Sequence, residues 1–146
     1  MNGQLPNPEP SINPETNWFW SATTRGELQL VRCNSCGLVI WYPRSMCPRC
    51  SGTETDRFVA SGLGHIYTFA VVRTAFDDYR QFVPYVLAYV ELDEGPRMMT
   101  NVVDCDIDTL EIGQRVEVVF QRTESGRASL LRFRPMAVSA PPTEVV

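Results

Sequence analysis

Residues 33–37, CNSCG, and residues 47–52, CPRCSG, are two CxxC motifs that decide how this 146-residue chain folds. In each motif the two-residue spacer lets a tight turn direct both sulfurs toward one point. Together the two turns supply four thiolates that suit a tetrahedral site for a soft metal ion. These ligands are Cys33, Cys36, Cys47 and Cys50. Four sulfurs leave no open position for water or substrate, so the motifs predict a structural metal site.

Zinc is the first candidate for this ion, because it requires no redox chemistry from the protein. Iron is the alternative, since a rubredoxin-type site also uses two such motifs, and the spacing does not separate the two metals. Disulfides are less favoured, because the polar, proline-rich N-terminus does not resemble a secretory signal peptide. The fifth cysteine, Cys105, stands between two aspartates that would raise its pKa, and we expect a partly buried, unreactive side chain.

The composition is that of a globular protein, with 44% apolar and 21% charged residues. No stretch approaches the roughly 18 apolar residues needed to span a membrane, so we expect no membrane partner and a cytoplasmic location. The net charge is −4, and all thirteen basic residues are arginine. An acidic chain is a poor general nucleic-acid binder, because it cannot displace the counterions of a phosphate backbone.

Three prolines within residues 1–13 predict an extended or disordered N-terminal segment. Residues 14–26 are predicted to form a helix, which begins after a capping Asn13 and ends at Gly26. This helix carries three consecutive aromatic residues, Trp18, Phe19 and Trp20. Two interpretations remain open for them: packing within the protein, or anchoring a partner, since tryptophan is favoured at interfaces.

The predicted fold is mainly β, with the helix followed by a rubredoxin-like zinc ribbon over residues 27–56 and a five-stranded OB-fold barrel over residues 57–136. The ribbon strands are expected at 28–32 and 38–42. The barrel strands are expected at 62–74, 84–92, 97–103, 114–123 and 128–135. Glycines 62 and 64 predict a bulge or sharp bend in the first barrel strand. Residues 137–146 are predicted to be a C-terminal tail.

No catalytic set is evident in the sequence. The single histidine, His65, follows Gly64 in a predicted strand that has glycines at its start, and a structural role is favoured there. A loop over residues 75–83 is more suggestive, because it carries Phe76, Tyr79, Arg80 and Phe82. These side chains either fold onto the end of the barrel or contact a partner or ligand, since loops on rigid scaffolds commonly carry binding.

The order of these parts resembles the zinc-ribbon/OB-fold acyl-CoA-associated family. The likeness begins at the aromatic helix and the sequence Gly26-Glu27-Leu28, and continues through both cysteine motifs. In the barrel it includes residues 62–69, 84–95 and 112–116 and the closing Arg132-Phe133-Arg134-Pro135. It covers about residues 14–136, and the two halves together are more specific than either alone.

The resemblance implies a small non-catalytic subunit that forms a hetero-oligomer with a thiolase-like enzyme. Members accompany thiolases, acyltransferases, or thiolase-like aldolases that remove steroid side chains by retro-aldol cleavage of an acyl-CoA. The chain is therefore expected to stabilise its partner and to help line the acyl-CoA channel, with zinc as its structural cofactor. Arg73, Arg80 and Arg97 are candidates for contacts with CoA phosphates, although ordinary surface charge is the simpler interpretation.

Two alternative functions, of classes other than an enzyme subunit, also remain open. Zinc ribbons and OB folds both serve in single-stranded nucleic-acid binding, which the acidic charge disfavours. An electron carrier with iron at the four cysteines is the second alternative.

Overall fold

A computed structural model describes residues 4–137 of the chain. The predicted tail, residues 137–146, lies outside the described residues apart from its first member, and so do the first three residues of the predicted disordered segment. One α-helix, α1, spans Asn17–Thr23. The strands are β1 Gln29–Cys33, β2 Val39–Ile40, β3 Thr55–Val59, β4 Leu63–Val72, β5 Tyr85–Leu92, β6 Arg97–Val102, β7 Arg115–Arg122 and β8 Ser129–Pro135. Two 3₁₀ turns span Asp77–Phe82 and Ile107–Thr109.

The first three strands form a small antiparallel sheet in the order β2-β1-β3. β1 lies in the centre and pairs with β3 along its whole length, from Gln29 opposite Val59 to Cys33 opposite Thr55. The ribbon sheet therefore extends past the boundary predicted at residue 56. Its third strand carries three exposed residues, so it lacks the apolar pattern by which the barrel strands were recognised.

The remaining five strands close into a barrel in the order β4-β5-β6-β8-β7, as expected for an OB fold. The closure between β6 and β8 is parallel and consists of one register pair, Val102 opposite Phe133. A hydrogen bond from the Val103 N–H to the Phe133 carbonyl at 2.8 Å continues it. By contrast, β7 and β8 share seven register pairs. We call the β6–β8 contact the closing seam.

The irregularity in β4 lies at Tyr67, where the register against β5 shifts between Ile66 and Thr68. It does not lie at the glycines that were expected to produce it. Gly64 serves a different purpose, because a Cβ atom there would lie 2.4 Å from the Glu91 carbonyl oxygen. Glycine is thus needed for the close approach of two backbones rather than for a bend.

The α-helix has seven residues and is shorter than the predicted 14–26. Residues 14–16 form a separate turn, in which the Asn13 side chain accepts hydrogen bonds from the N–H groups of Glu15 and Thr16, both at 3.0 Å. The helix ends at Thr23, and a turn over residues 24–26 follows it, in which Gly26 has φ +73° and the Glu27 N–H donates to the Ala22 carbonyl. No helix within residues 4–137 is long and apolar enough to cross a membrane.

The buried core runs without interruption from the ribbon into the barrel. Phe19 of α1 is fully buried and belongs to one cluster with Leu28 and Leu30 of the ribbon and with Val90 and Phe133 of the barrel. Burial of a side chain of this size stabilises a fold by about 1.5–3 kcal/mol. The helix therefore joins the two modules into one packed unit.

The N-terminal segment, predicted to be extended or disordered, is extended and packed along the barrel from residue 4 onward. Leu5 is buried, the Asn7 side chain donates to the Arg122 carbonyl at 3.3 Å, and Glu9 accepts from the Ser125 N–H at 2.8 Å. Prolines favour the extended conformation, but a buried leucine and specific hydrogen bonds fix its position.

We predict that Gly64→Ala destabilises the protein by about 1–3 kcal/mol, because the added methyl group must displace the backbone of β5. Gly113→Ala is the control: its Cβ meets no atom within 4 Å, and its φ of +87° alone should cost about 1 kcal/mol. Urea unfolding of both variants measures the difference. Equal losses of unfolding free energy in the two variants would contradict the role assigned to Gly64.

Candidate metal centre and its surroundings

The two CxxC motifs bring their four sulfurs together at one end of the ribbon sheet. All four Sγ atoms lie within 4.8 Å of one another. Across the two motifs, Cys33 Sγ lies 3.5 Å from Cys50 Sγ, and Cys36 Sγ lies 3.6 Å from Cys47 Sγ. Sulfurs bound to one tetrahedral zinc ion would be about 3.8 Å apart. The four cysteines are therefore positioned to bind a single metal ion.

Each motif is closed by a backbone turn that ends in the left-handed conformation. The Gly37 N–H donates to the Cys33 carbonyl and the Ser51 N–H donates to the Cys47 carbonyl, both at 2.9 Å. Gly37 has φ +73°, and Ser51 adopts φ +62° without being glycine. Gly52 follows directly, and a Cβ atom on it would lie 3.3 Å from Cys50 Sγ. The backbone thus encloses the sulfurs closely.

The electrostatics of the cluster call for a cation. A hydrogen bond from the Leu38 N–H, assisted by the Arg49 guanidinium, lowers the pKa of Cys36 to about 6. At Cys50 the Gly52 N–H favours the thiolate, but the hydrogen bond to Cys33, desolvation and the remaining thiols outweigh it and raise the pKa to about 12. Four thiolates so close together repel one another, and a bound divalent ion removes that repulsion.

The centre is part of the packing of the ribbon. Its small buried core consists of Val31, Cys33, Ile40 and Cys47, so two of its four members are candidate ligands. The Arg49 side chain reaches across to the Cys36 carbonyl at 3.3 Å and ties the second motif to the first. An arrangement of four thiolates without an open position holds structure and offers no site for substrate chemistry.

The aromatic residues of α1 lie mostly inside the protein. Phe19 has no exposed surface, and the buried Trp20 donates from its indole N–H to the Tyr42 hydroxyl at 3.0 Å. Trp18 is half-buried, and the Arg57 guanidinium lies 4.3 Å from the centre of its ring. Of the two interpretations offered by the sequence, internal packing describes Phe19 and Trp20. Only Trp18 retains a partly open surface.

The aromatic loop is divided between two environments. Phe76 is 81% exposed, and Arg80 is exposed beside it. Tyr79 packs against Tyr85 with ring centres 5.7 Å apart, and Phe82 lines a cavity of about 420 Å³ at the end of the barrel. The loop therefore presents one free aromatic side chain and folds the other two toward the barrel.

The other singled-out residues show no catalytic arrangement within the described chain. His65 lies 3.6 Å from Glu91, with no nucleophile in the hydrogen bonds of either side chain. Cys105 lines the 420 Å³ cavity, and desolvation together with Asp104 and Asp106 raises the pKa of its thiol, as expected. The Cys105 thiol is therefore not prepared for nucleophilic chemistry at neutral pH.

Sequence patterns did not indicate an exposed apolar patch on the outer face of β4–β6. Tyr89 pairs directly with Met99 across β5 and β6, and Leu87 and Tyr67 lie near them. Their exposed fractions are between 39% and 62%. We call these four residues the outer-face patch. The alternation along β5 could have revealed this patch, since Leu87 and Tyr89 lie on the other face of the strand from the buried Val86, Ala88 and Val90.

Comparison with known proteins identifies both modules. Residues 20–56 match the model of the ChsH2 rubredoxin-like zinc ribbon domain, and residues 59–121 match that of the ChsH2 C-terminal OB-fold domain. A DUF35 domain-containing scaffold protein of Methanocaldococcus jannaschii is 43% identical over 112 residues, which cover 73% of this chain and 79% of the relative. The chain belongs to the DUF35 family. The resemblance suggested by the sequence is thereby confirmed.

Two further likenesses place this DUF35 protein beside enzyme subunits. The chain named "Ltp2-ChsH2(DUF35) aldolase" superposes with a TM-score of 0.76 at 31% identity, over 87% of this chain and 98% of that one. The 3-oxo-4,17-pregnadiene-20-carboxyl-CoA hydratase alpha subunit of Mycobacterium tuberculosis is 29% identical over 117 residues. The match covers 76% of this chain but 35% of that subunit. DUF35 relatives thus serve as scaffolds or as parts of enzyme complexes.

We predict that Cys47→Ser abolishes stoichiometric metal binding and lowers the melting temperature by roughly 10 °C or more. The reason is that metal binding contributes about 10–16 kcal/mol to folding in ribbons of this kind. Elemental analysis and thermal unfolding followed by circular dichroism provide the two measurements. Cys105→Ser, outside the cluster, is the matched control and should retain the metal. A metal-free variant with the parent's melting temperature would contradict a structural role.

Proposed function

We propose that the chain is a non-catalytic accessory subunit of a thiolase-like acyl-CoA enzyme, most specifically an aldolase that cleaves a carbon–carbon bond in steroid side-chain degradation. The observation that carries this proposal is the likeness to the Ltp2-ChsH2(DUF35) aldolase chain over almost its full length. The pregnadiene-carboxyl-CoA named for the mycobacterial relative supports the steroid class. A thiolase or an acyltransferase complex is the second candidate for the partner.

A closed metal centre supports a scaffold role. Zinc suits the site, because the sulfur separations fit a tetrahedral Zn–S₄ arrangement and structural zinc sites have no open position. In this proposal the ion holds the ribbon, and the catalytic residues belong to the partner. The absence of a nucleophile–base pair among the singled-out residues of the described chain agrees with that division.

Two exposed apolar surfaces offer places for the partner. Phe76 projects from the loop at one end of the barrel, and the outer-face patch lies on the adjacent sheet. Exposed clusters of large apolar side chains on a small protein mark interaction sites. We propose that Phe76, Arg80 and the neighbouring Tyr79 and Phe82 form the principal contact, with the partly open Trp18 as a further candidate.

The acyl-CoA is proposed to pass near this interface. Arg73 and Arg80 are exposed, and neither forms an ion pair with a described residue. Both are therefore free to meet phosphate groups. Arg97, the third candidate from the sequence, is less suited, because it pairs with Glu91 at 2.6 Å and lies 3.8 Å from the centre of the Tyr67 ring.

The single-stranded nucleic-acid alternative is disfavoured by the net charge of −4 and by the paired arginines of the barrel strands, although the loop with Phe76 and Arg80 carries an exposed ring and a guanidinium unpaired with any described residue. Arg97, Arg115 and Arg134, all on barrel strands, are each paired with a carboxylate within 2.9 Å. A nucleic-acid groove requires unpaired positive charge beside stacking aromatic rings. We also propose a cytoplasmic location, because the five cysteines, all within the described residues, form no disulfide and the cytosol keeps thiols reduced.

Co-expression with a thiolase-like protein from the same host tests the proposed function. We expect the two chains to co-purify and carbon–carbon cleavage of an acyl-CoA to require both of them. Phe76→Asp should weaken the complex at least about tenfold, since burying a carboxylate in an apolar contact is unfavourable. Affinity is measured by titration calorimetry.

Ile112→Asp is the matched control for that experiment. Ile112 is also an exposed apolar residue, at 69%, but it lies near the opposite end of β4, beside Gly113, which donates to the Ile66 carbonyl. The Ile112→Asp variant should leave the affinity for the partner unchanged. A partner that is soluble and fully active without this chain would remove the proposal.

The identity of the metal is tested separately. We expect the purified protein to be colourless and to contain one zinc ion per chain, because zinc has no visible d–d absorption. Elemental analysis with a visible spectrum decides the matter. A red, redox-active preparation with one iron per chain would favour the electron-carrier alternative instead.

A further inference from the structure

Arg132 on β8 is a buried guanidinium that lacks an anionic partner among the described residues. Only 2% of its surface is exposed. Its Nη2 donates to the Pro6 carbonyl at 2.6 Å, while its buried Nη1 has no hydrogen-bond partner. No described carboxylate lies within ion-pair distance of it. The barrel arginines that form ion pairs, Arg97, Arg115 and Arg134, are all exposed, whereas Arg132 is buried and has no such pair within the described chain.

A buried cation with one neutral acceptor is an unusual arrangement. Desolvation lowers the pKa of Arg132, and an arginine side chain nevertheless stays charged. Buried charges in folded proteins are normally paired, and an unpaired donor in the interior points to a missing ligand, ion or water. The guanidinium fork is suited to a planar carboxylate, which accepts from it through two oxygens.

Arg132 lines a cavity of about 220 Å³ at the closing seam, between the ribbon and the barrel. The walls of this cavity are mainly aromatic and thioether side chains, among them Trp20, Trp41, Tyr42, Tyr79, Met98 and Met99. An engineered apolar cavity of about 150 Å³ holds a benzene molecule. The space therefore accommodates a six-membered ring with a small substituent.

Two tyrosine hydroxyl groups in the cavity wall are further potential hydrogen-bond donors beside Arg132. The Tyr42 hydroxyl accepts from the Trp20 indole, and neither it nor the Tyr79 hydroxyl donates a hydrogen bond to a described residue. Tyr79 lies close enough to Arg132 to interact with its charge. Donors without acceptors, set among apolar walls, are the pattern of a pocket for an anion carried on an apolar body.

We propose that this cavity binds a small organic acid whose carboxylate is attached to an aromatic or alicyclic ring. The carboxylate takes the place of the Pro6 carbonyl on the Arg132 guanidinium, whose Nη1 is buried in the free protein, and the ring lies among the aromatic and methionine side chains. A free acid is favoured over an aspartate or glutamate of a partner protein, because a one- or two-carbon side chain would leave most of the aromatic cavity empty. Because Tyr79 also belongs to the proposed partner contact, binding of the acid is tested on the chain without a partner.

The test uses the purified full chain with its metal bound. Benzoate and cyclohexanecarboxylate are titrated against it while tryptophan fluorescence is recorded, since Trp20 and Trp41 line the cavity. We expect saturable binding of both acids. Benzamide, which has the same shape without the charge, should bind at least about tenfold more weakly, because it loses the charge-assisted hydrogen bonds.

Two variants assign the effect to the buried guanidinium. Arg132→Met should abolish acid binding, whereas Arg134→Met, at the exposed position two residues along β8, should leave it unchanged. The melting temperature of Arg132→Met should be equal to or above that of the parent, as a well-packed apolar side chain replaces a buried charge. If that variant fails to fold, Tyr79→Phe substitutes for it, with an expected several-fold loss of acid affinity.

Three results would each overturn the inference. They are the lack of saturable binding at millimolar acid, equal binding of benzoate and benzamide, and acid binding that survives Arg132→Met. If Arg132→Met instead weakens the complex with the partner enzyme and the free acids do not bind, the ligand is a protein carboxylate and the small-acid site is refuted.

Discussion

The close approach of four cysteine sulfurs, which are positioned to bind one metal ion, is the constraint on which the ribbon depends. Cys33 and Cys47 form a small buried cluster with Val31 and Ile40, while Leu28 and Leu30 belong to the larger core shared with the barrel. The end of the ribbon at the sulfurs therefore has little apolar burial of its own, and we expect metal coordination to supply the missing free energy. The left-handed turns at Gly37 and Ser51 then follow from the need to aim four sulfurs at one point.

The barrel depends on the ribbon through α1. Phe19 is packed between the two modules, and Trp20 ties the helix to Tyr42 of the ribbon through a hydrogen bond. The N-terminal segment adds contacts along β7 and β8. Because the core is continuous, loss of order in the ribbon would reach the barrel through this helix. A protein built in this way presents its outer surfaces in a fixed relation to one another, which agrees with the proposed role as a subunit of a larger complex.

The sequence was sufficient for features encoded by local chemistry. The four cysteines that are positioned to bind a metal followed from motif spacing, the barrel strands from alternation between turn residues, and the left-handed turn after the helix from Gly26. Features that depend on distant partners were missed or left open. β3 has a polar pattern and is a strand only because β1 offers an edge, and the bulge at Tyr67 is set by pairing with β5 rather than by the nearby glycines.

Two differences in side-chain burial also could not be predicted from the local sequence. Nothing in the aromatic run of α1 distinguishes the enclosed Phe19 from the partly open Trp18. Arg132 resembles its exposed neighbour Arg134 in sequence, but its Nη2 is hydrogen-bonded to Pro6, more than a hundred residues away along the chain. The burial of Arg132 and the cavity beside it thus come from tertiary packing.

The single register pair between β6 and β8 has a dynamic consequence. The other barrel ladders have at least three register pairs, whereas this contact is held by Val102, Phe133 and the side-chain hydrogen bond from Thr100 to the Leu131 carbonyl at 2.9 Å. A ladder with so few bonds is the place where local opening needs the least free energy. Thr100 and Leu131, which lie beside this pair, also line the cavity at Arg132. For the proposed acid site, we therefore expect local opening of the closing seam to admit the ligand without global unfolding.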